Sequence, residues 1–327
     1  MINKDLISKS LDLAIIKCQP KFESMHTVKQ IAKYFHFKYE GIVNEVSKDS
    51  EFYQLSRIGE NIDGKVHIFT DPKNDNCQIY IYDDLIEKET GLLKSKWYEQ
   101  EFQSQSQEMN EKEKIETINE TTYPLKQFFK DYTDLPENIK SSIGLLSFDL
   151  IENGDVSGDT SYLDDGKCMI RMHQIGIEES GFGNMIMSNP RKTLFHEVGH
   201  SISHKLGYED KSYWEENAFA DTSFSYLATR KDYKKARSND KKLTGDRYAT
   251  EYGKSSKSFD EEQADITSAM LLKALSKNDT NFNNYRMTLS SASSSVLKDK
   301  DLISIDDFLE RYPNRISALN KYMNLEL

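Results

Sequence analysis

At 327 residues the chain is long enough for a main domain and a smaller companion, and its 16 Phe and 18 Tyr mark a folded protein although apolar residues make up only 37%. A formal charge of −11 argues against a concentrated basic surface, so neither nucleic acid nor an anionic membrane is an expected partner. Cys18, Cys77 and Cys168 are odd in number and far apart, which points away from a disulfide framework or cysteine zinc knuckle and towards a reducing compartment.

Residues 3 to 16 place Leu6, Ile7, Leu11, Ala14 and Ile15 mostly at helical spacing, and a second helical pattern runs from Val28 to Tyr39. The opening stretch is interrupted by Lys4, Lys9, Asp12 and Lys17, and no apolar run in the chain has the length of a membrane span. We therefore expect no cleaved secretory signal, and place the protein either in the cytoplasm or outside it by a route that needs none. The runs "FYQLSRI", "KVHIFT" and "CQIYIYDD" then alternate with turn-like breaks, as antiparallel strands do. Residues 1–98 read as a small α+β domain for recognition or delivery. Residues 99–122 are rich in Gln, Ser and Glu and read as a polar linker or exposed helix, leaving 123–327 as the main domain.

In the main domain, Asp164, Asp165 and Gly166 signal a turn before a strand over 167–175. The Gly-rich "SGFGNM" precedes Pro190, which suits the first turn of a helix, and that helix is expected to end near Leu206, before Gly207.

This helix carries "HEVGH", residues 196–200. Residues four apart share a helical face, so His196 and His200 can aim at one ion, while Glu197, about 100° round the axis, can reach a water without ligating the ion. Two imidazoles and an adjacent carboxylate are the chemistry of a hydrolytic Zn²⁺ site. The plain alternative is a surface helix with two solvated histidines. Gly199 favours the site, because a mid-helix glycine costs about 1 kcal/mol relative to alanine and implies a close neighbour. His204 lies two turns from His196, about 12 Å along the axis, and cannot share the ion. Ser203 and Leu206 stand where a metzincin needs glycine and histidine.

A catalytic zinc needs a third protein ligand. Glu215 and Glu216, in "YWEENAFADTSFSYL", match the short gap of thermolysin-type enzymes and, in part, the "EANxFA" helix of small cytosolic metallopeptidases. Farther on, "EYGKSSKSFDEEQAD" resembles the catalytic domain of anthrax lethal factor and the related Pro-Pro endopeptidases. The resemblance implies His196, His200 and Glu261 as zinc ligands, Glu197 as general base, Tyr252 as the oxyanion-stabilising phenol and Asp265 as the acid that orients a ligand. Glu262, Glu215 and Glu216 stay open as alternatives to Glu261.

The resemblance also implies a mostly helical α+β zincin domain with a small sheet, whose edge strand pairs with an extended protein or peptide substrate. "GKCMIRMHQI" is the expected edge strand, and His173 within it is expected to be structural. The function implied is a zinc-dependent endopeptidase, secreted as an effector or toxin that acts in another cell. The rival readings are a cytosolic regulatory peptidase using Glu215 and a catalytically inactive zincin-fold binding protein.

Overall fold

The computed structural model describes residues 28–43, 65–74, 77–83, 86, 92–93, 123–148, 158–163, 166–172, 177–179, 185–187, 190–205, 230–276, 282, 285–291 and 301–327. They form an α+β structure of two compact units. The first comprises Met1–Leu135, Ile143–Leu163 and Cys168–Thr193; the second comprises Pro136–Ser142, Asp164–Lys167 and Leu194–Leu327. The expected N-terminal helix, the strand "FYQLSRI", the stretch 99–122 and Cys18 lie outside the described residues. Among the described residues no helix is long and apolar enough to cross a membrane.

In the first unit α1 (Val28–Tyr34) leads into β1 (Lys38–Val43), β2 (Val66–Asp71) and β3 (Cys77–Tyr82). The helix is shorter than its apolar pattern suggests, because His36 adopts a left-handed φ of 64° and turns the chain into β1. After the short pair β4 (Leu92–Leu93) and β5 (Tyr123–Pro124) come α2 (Leu125–Asp134) and then, in the second unit, α3 (Glu137–Lys140). β6 (Ile143–Phe148), β7 (Gly158–Tyr162) and β8 (Cys168–Met172) complete a six-stranded sheet in the order β1-β2-β3-β6-β8-β7. β1, β2 and β3 are antiparallel as expected, but β3, β6 and β8 are mutually parallel, so the sheet is mixed and larger than the small one anticipated.

The expectation that "GKCMIRMHQI" supplies an edge strand is overturned. Its central part, β8, lies between β6 and β7, and all five of its residues are buried. The physical reason is legible in "CMIRM": an almost continuous apolar run buries both faces of a strand. Its one charge, Arg171, is neutralised across the strand pair by Asp159 at 2.7 Å from Nε. The edge on that side is β7. On the sheet and α1–α2 side, Phe37, Phe69, Phe128, Phe129 and Phe148 pack as an aromatic cluster, with ring centroids 4.8–5.1 Å apart in the Phe37–Phe129, Phe69–Phe129 and Phe128–Phe148 pairs. A hairpin of β9 (Ile177–Glu179) and β10 (Met185–Met187) follows.

The second unit is built on helices. α4 (Pro190–Lys205) enters it at Leu194; α5 (Arg230–Thr244), α6 (Glu251–Ser255) and α7 (Phe259–Leu275) follow. The hairpin β11 (Arg286–Thr288) and β12 (Leu302–Ser304) precedes α8 (Ile305–Arg311) and α9 (Pro313–Met323). α7 is the central helix, buried continuously from Glu262 to Leu272. Ser258 caps it, accepting the N–H groups of Asp260 and Glu261. The start of α9 is capped from another helix: Asp240 of α5 accepts the N–H groups of Asn314 at 3.0 Å and Arg315 at 2.8 Å. A carboxylate at a helix N-terminus satisfies donors that the helix itself cannot.

Candidate metal centre

α4 occupies 190–205, close to the span its sequence announces, and buries Leu194, Phe195, Val198 and Ile202. The opposite stripe presents His196 and His200, whose rings stand 4.8 Å apart at 83°. The ligand atoms of His196, Glu197 and His200 all lie within 4.8 Å of one another.

α4 lies directly on α7. A Cβ on Gly199 would come within 2.5 Å of Ala264 Cα and 2.9 Å of its carbonyl oxygen, so the close neighbour implied by this glycine is the α7 backbone. Ser203 donates to Gln263 Oε1 at 2.9 Å, one turn farther along α4. This tight crossing brings the acidic start of α7 to the histidines. Glu261 Oε2 lies 3.0 Å from His196 Nε2 and 3.3 Å from His200 Nε2. Asp265, one turn later, meets the other nitrogen of His196, Nδ1, at 3.0 Å.

These distances suit a metal. With bonds of roughly 2.0–2.1 Å to nitrogen and oxygen, neighbouring ligands of a tetrahedral zinc lie about 3.4 Å apart, close to the spacing of the Glu261 oxygen from both imidazoles. The Asp265 contact is the kind of carboxylate–histidine support that would direct the second ring nitrogen at an ion. Burial alone disfavours charge on His196, but its hydrogen bonds to Asp265 and Glu261 outweigh it and raise the pKa to about 10. Burial likewise pushes the Glu261 carboxyl up, yet the hydrogen bonds from His196 and His200 prevail and hold it well below the ordinary range.

Tyr252 lies on α6, a single capped turn in which Thr250 Oγ1 accepts the N–H of Gly253 at 3.1 Å. Its ring centroid is 5.7 Å from that of His196, and the side chain is half exposed. Glu197 is only 4% exposed, on the same helix as both histidines.

Glu262 faces the other way. It is fully buried, accepts hydrogen bonds from the Tyr233 phenol and Ala249 N–H, and is ion-paired with Arg237, with Arg315 beside it. Glu215, Glu216 and His173 lie outside the described residues. The buried set of Asp240, Arg237 and Arg315 went unmarked in the sequence reading, since isolated charges in helical patterns read as solvated faces. Its one available signal was Asp240, an acid on the otherwise basic "KKARSNDKKL".

Comparison with models of known families, with curated proteins and with solved structures yields no match. What the structure supports of the motif is the grouping of His196, Glu197 and His200 on one helix.

Proposed function

We propose that the protein is a zinc-dependent endopeptidase, with His196, His200 and Glu261 as metal ligands, Glu197 as general base and Tyr252 as oxyanion donor. The observation that carries the proposal is the approach of one Glu261 oxygen to the Nε2 atoms of both histidines. A bound zinc ion would polarise the scissile carbonyl and make water acidic enough to lose a proton near neutrality.

The chain's own groups do the rest. Glu197 accepts the proton of the attacking water and delivers it to the amine that leaves. The Tyr252 phenol donates a hydrogen bond to the carbonyl oxygen as negative charge grows on it. Asp265 accepts Nδ1–H of His196, which leaves the Nε2 lone pair free for the metal. Glu262 is assigned no ligand role, because its carboxylate is already engaged with cationic and backbone donors inside the helical unit. The substrate is a protein or peptide, and the effector role belongs to the same proposal; detection of the chain in culture medium tests the latter.

Metal analysis by mass spectrometry on the wild type, Glu197→Ala and Glu261→Ala, with digestion of a mixed peptide library, tests the core. We expect one zinc and cleavage in the wild type, one zinc without cleavage in Glu197→Ala, and loss of zinc in Glu261→Ala. A wild type that stays free of metal after zinc is supplied would sink the proposal and favour a binding protein.

A further inference from the structure

α6 has five residues, too few to hold a helical turn in place without tertiary support, yet it carries the phenol that must meet a developing oxyanion. Part of that support is the Thr250–Leu289 bridge with the Ser290 N–H to Ala249 O and Lys254 Nζ to Ser290 O hydrogen bonds, and part comes from the residue next to the proposed ligand. Glu262 Oε2 accepts the backbone N–H of Ala249 at 2.7 Å, and Ala249 immediately precedes Thr250, the N-cap of α6. On the same side, Gly253 of α6 lies against Glu262, where a Cβ would come within 2.9 Å of the glutamate's Cβ. The other carboxylate oxygen, Oε1, accepts the Tyr233 phenol at 3.0 Å and faces Arg237 Nε at 3.1 Å and Arg315 Nε at 3.6 Å. One dipeptide of α7 therefore points its first carboxylate at the histidines and its second at the backbone beneath Tyr252.

We propose that Glu262 is a positioning residue: through its hydrogen bond to Ala249 N–H it sets the Tyr252 phenol relative to the His196–His200–Glu261 group. The catalytic meaning of this tie rests on the peptidase function proposed above. The competing role for a buried carboxylate is to neutralise Arg237 and Arg315, and the two roles demand different properties. Neutralisation needs charge. Positioning needs reach and an acceptor oxygen, which an amide also supplies.

Two substitutions separate them. Glu262→Gln keeps the length and an acceptor but gives up the charge; Glu262→Asp keeps the charge but is one methylene short. The experiment is amide hydrogen–deuterium exchange on the full chain, with zinc content and kcat and KM on a mixed peptide library measured in parallel. In the wild type the Ala249 amide should exchange more slowly than the exposed amides around it. In Glu262→Asp, exchange over Ala249–Ser255 should rise about tenfold, as expected for one lost hydrogen bond, while α7 stays protected and zinc stays bound. Its kcat should fall about tenfold with KM little changed, as for an interaction made in the transition state. Glu262→Gln should recover slow exchange and most of the lost rate.

The reverse order, with Asp resembling the wild type and Gln loosened or unable to fold, overturns the proposal in favour of charge neutralisation. So does an Ala249 amide that exchanges freely in the wild type, a measurement that needs no variant. If the wild type neither holds zinc nor cleaves, the peptidase function falls, while the exchange order of the two variants still decides whether Glu262 holds α6.

Discussion

Glu261 and Glu262 are neighbours on one helix, yet they sit in opposite electrostatic worlds. Glu261 is partly exposed and shares one oxygen with two imidazoles, which would hold a cation in the proposed function. Glu262 is sealed among Tyr233, Arg237, Arg315 and a backbone amide, with permanent positive charges that cannot leave. The first environment is adaptable and suits chemistry. The second is enclosed and suits rigidity. The candidate site is backed by a buried polar cluster on the same helix.

The comparison can be broken at either side. The largest effect should come from the chemical side: Glu197→Gln should lower peptide cleavage by about 10²–10⁴-fold with zinc content intact, because only proton transfer is lost. On the rigid side, Arg315→Ala should cost about 3–5 kcal/mol in urea unfolding, since it removes a buried positive charge that faces the carboxylates of Asp240 and Glu262. Gly199→Ala should cost about 1–3 kcal/mol by thrusting a methyl into the Ala264 backbone, and should weaken zinc binding as the two helices separate. Asp265→Asn should weaken zinc binding by about 10–100-fold, measured by competition with a chelator, while leaving the buried cluster unchanged.

The smallest effect is one of pH. His196 is raised from 6.5 to about 10 in the ion-free protein, so its contribution to stability is full below pH 6.5 and lost as pH rises through about 10. Calorimetry of zinc-free protein should show Tm falling across that window by roughly 5 °C. Zinc-loaded protein should lack this decline, because a ligating imidazole carries no second proton. Equal slopes for both forms would show that His196 does not meet the metal.

Local signals marked the motif helix well. Pro190 and the apolar face of α4 announced its limits, and Gly199 announced a backbone neighbour without naming Ala264. Glu261 and Asp265, which the resemblance singles out, are four apart and so share one face of α7, and they meet the two nitrogens of His196. The sheet was harder to read. Pairing of Ile79 with Leu146 joins strands on either side of residues 99–122, pairing of Leu146 with Ile170 passes over β7, and neither partner's local sequence encodes the other. Placing "CMIRM" at an edge ignored that an apolar run without alternation needs cover on both faces.

What the sequence determined by itself is therefore the chemistry and its period: two imidazoles and a carboxylate on one helix, and two further acids one turn apart on another. Only the tertiary structure decided which of two adjacent glutamates faces the histidines. Adjacent residues on a helix point about 100° apart, so the choice depends on how α7 is rotated against its neighbours. That rotation is set by the close approach of Gly199 to Ala264 on one side and by the buried arginines around Glu262 on the other.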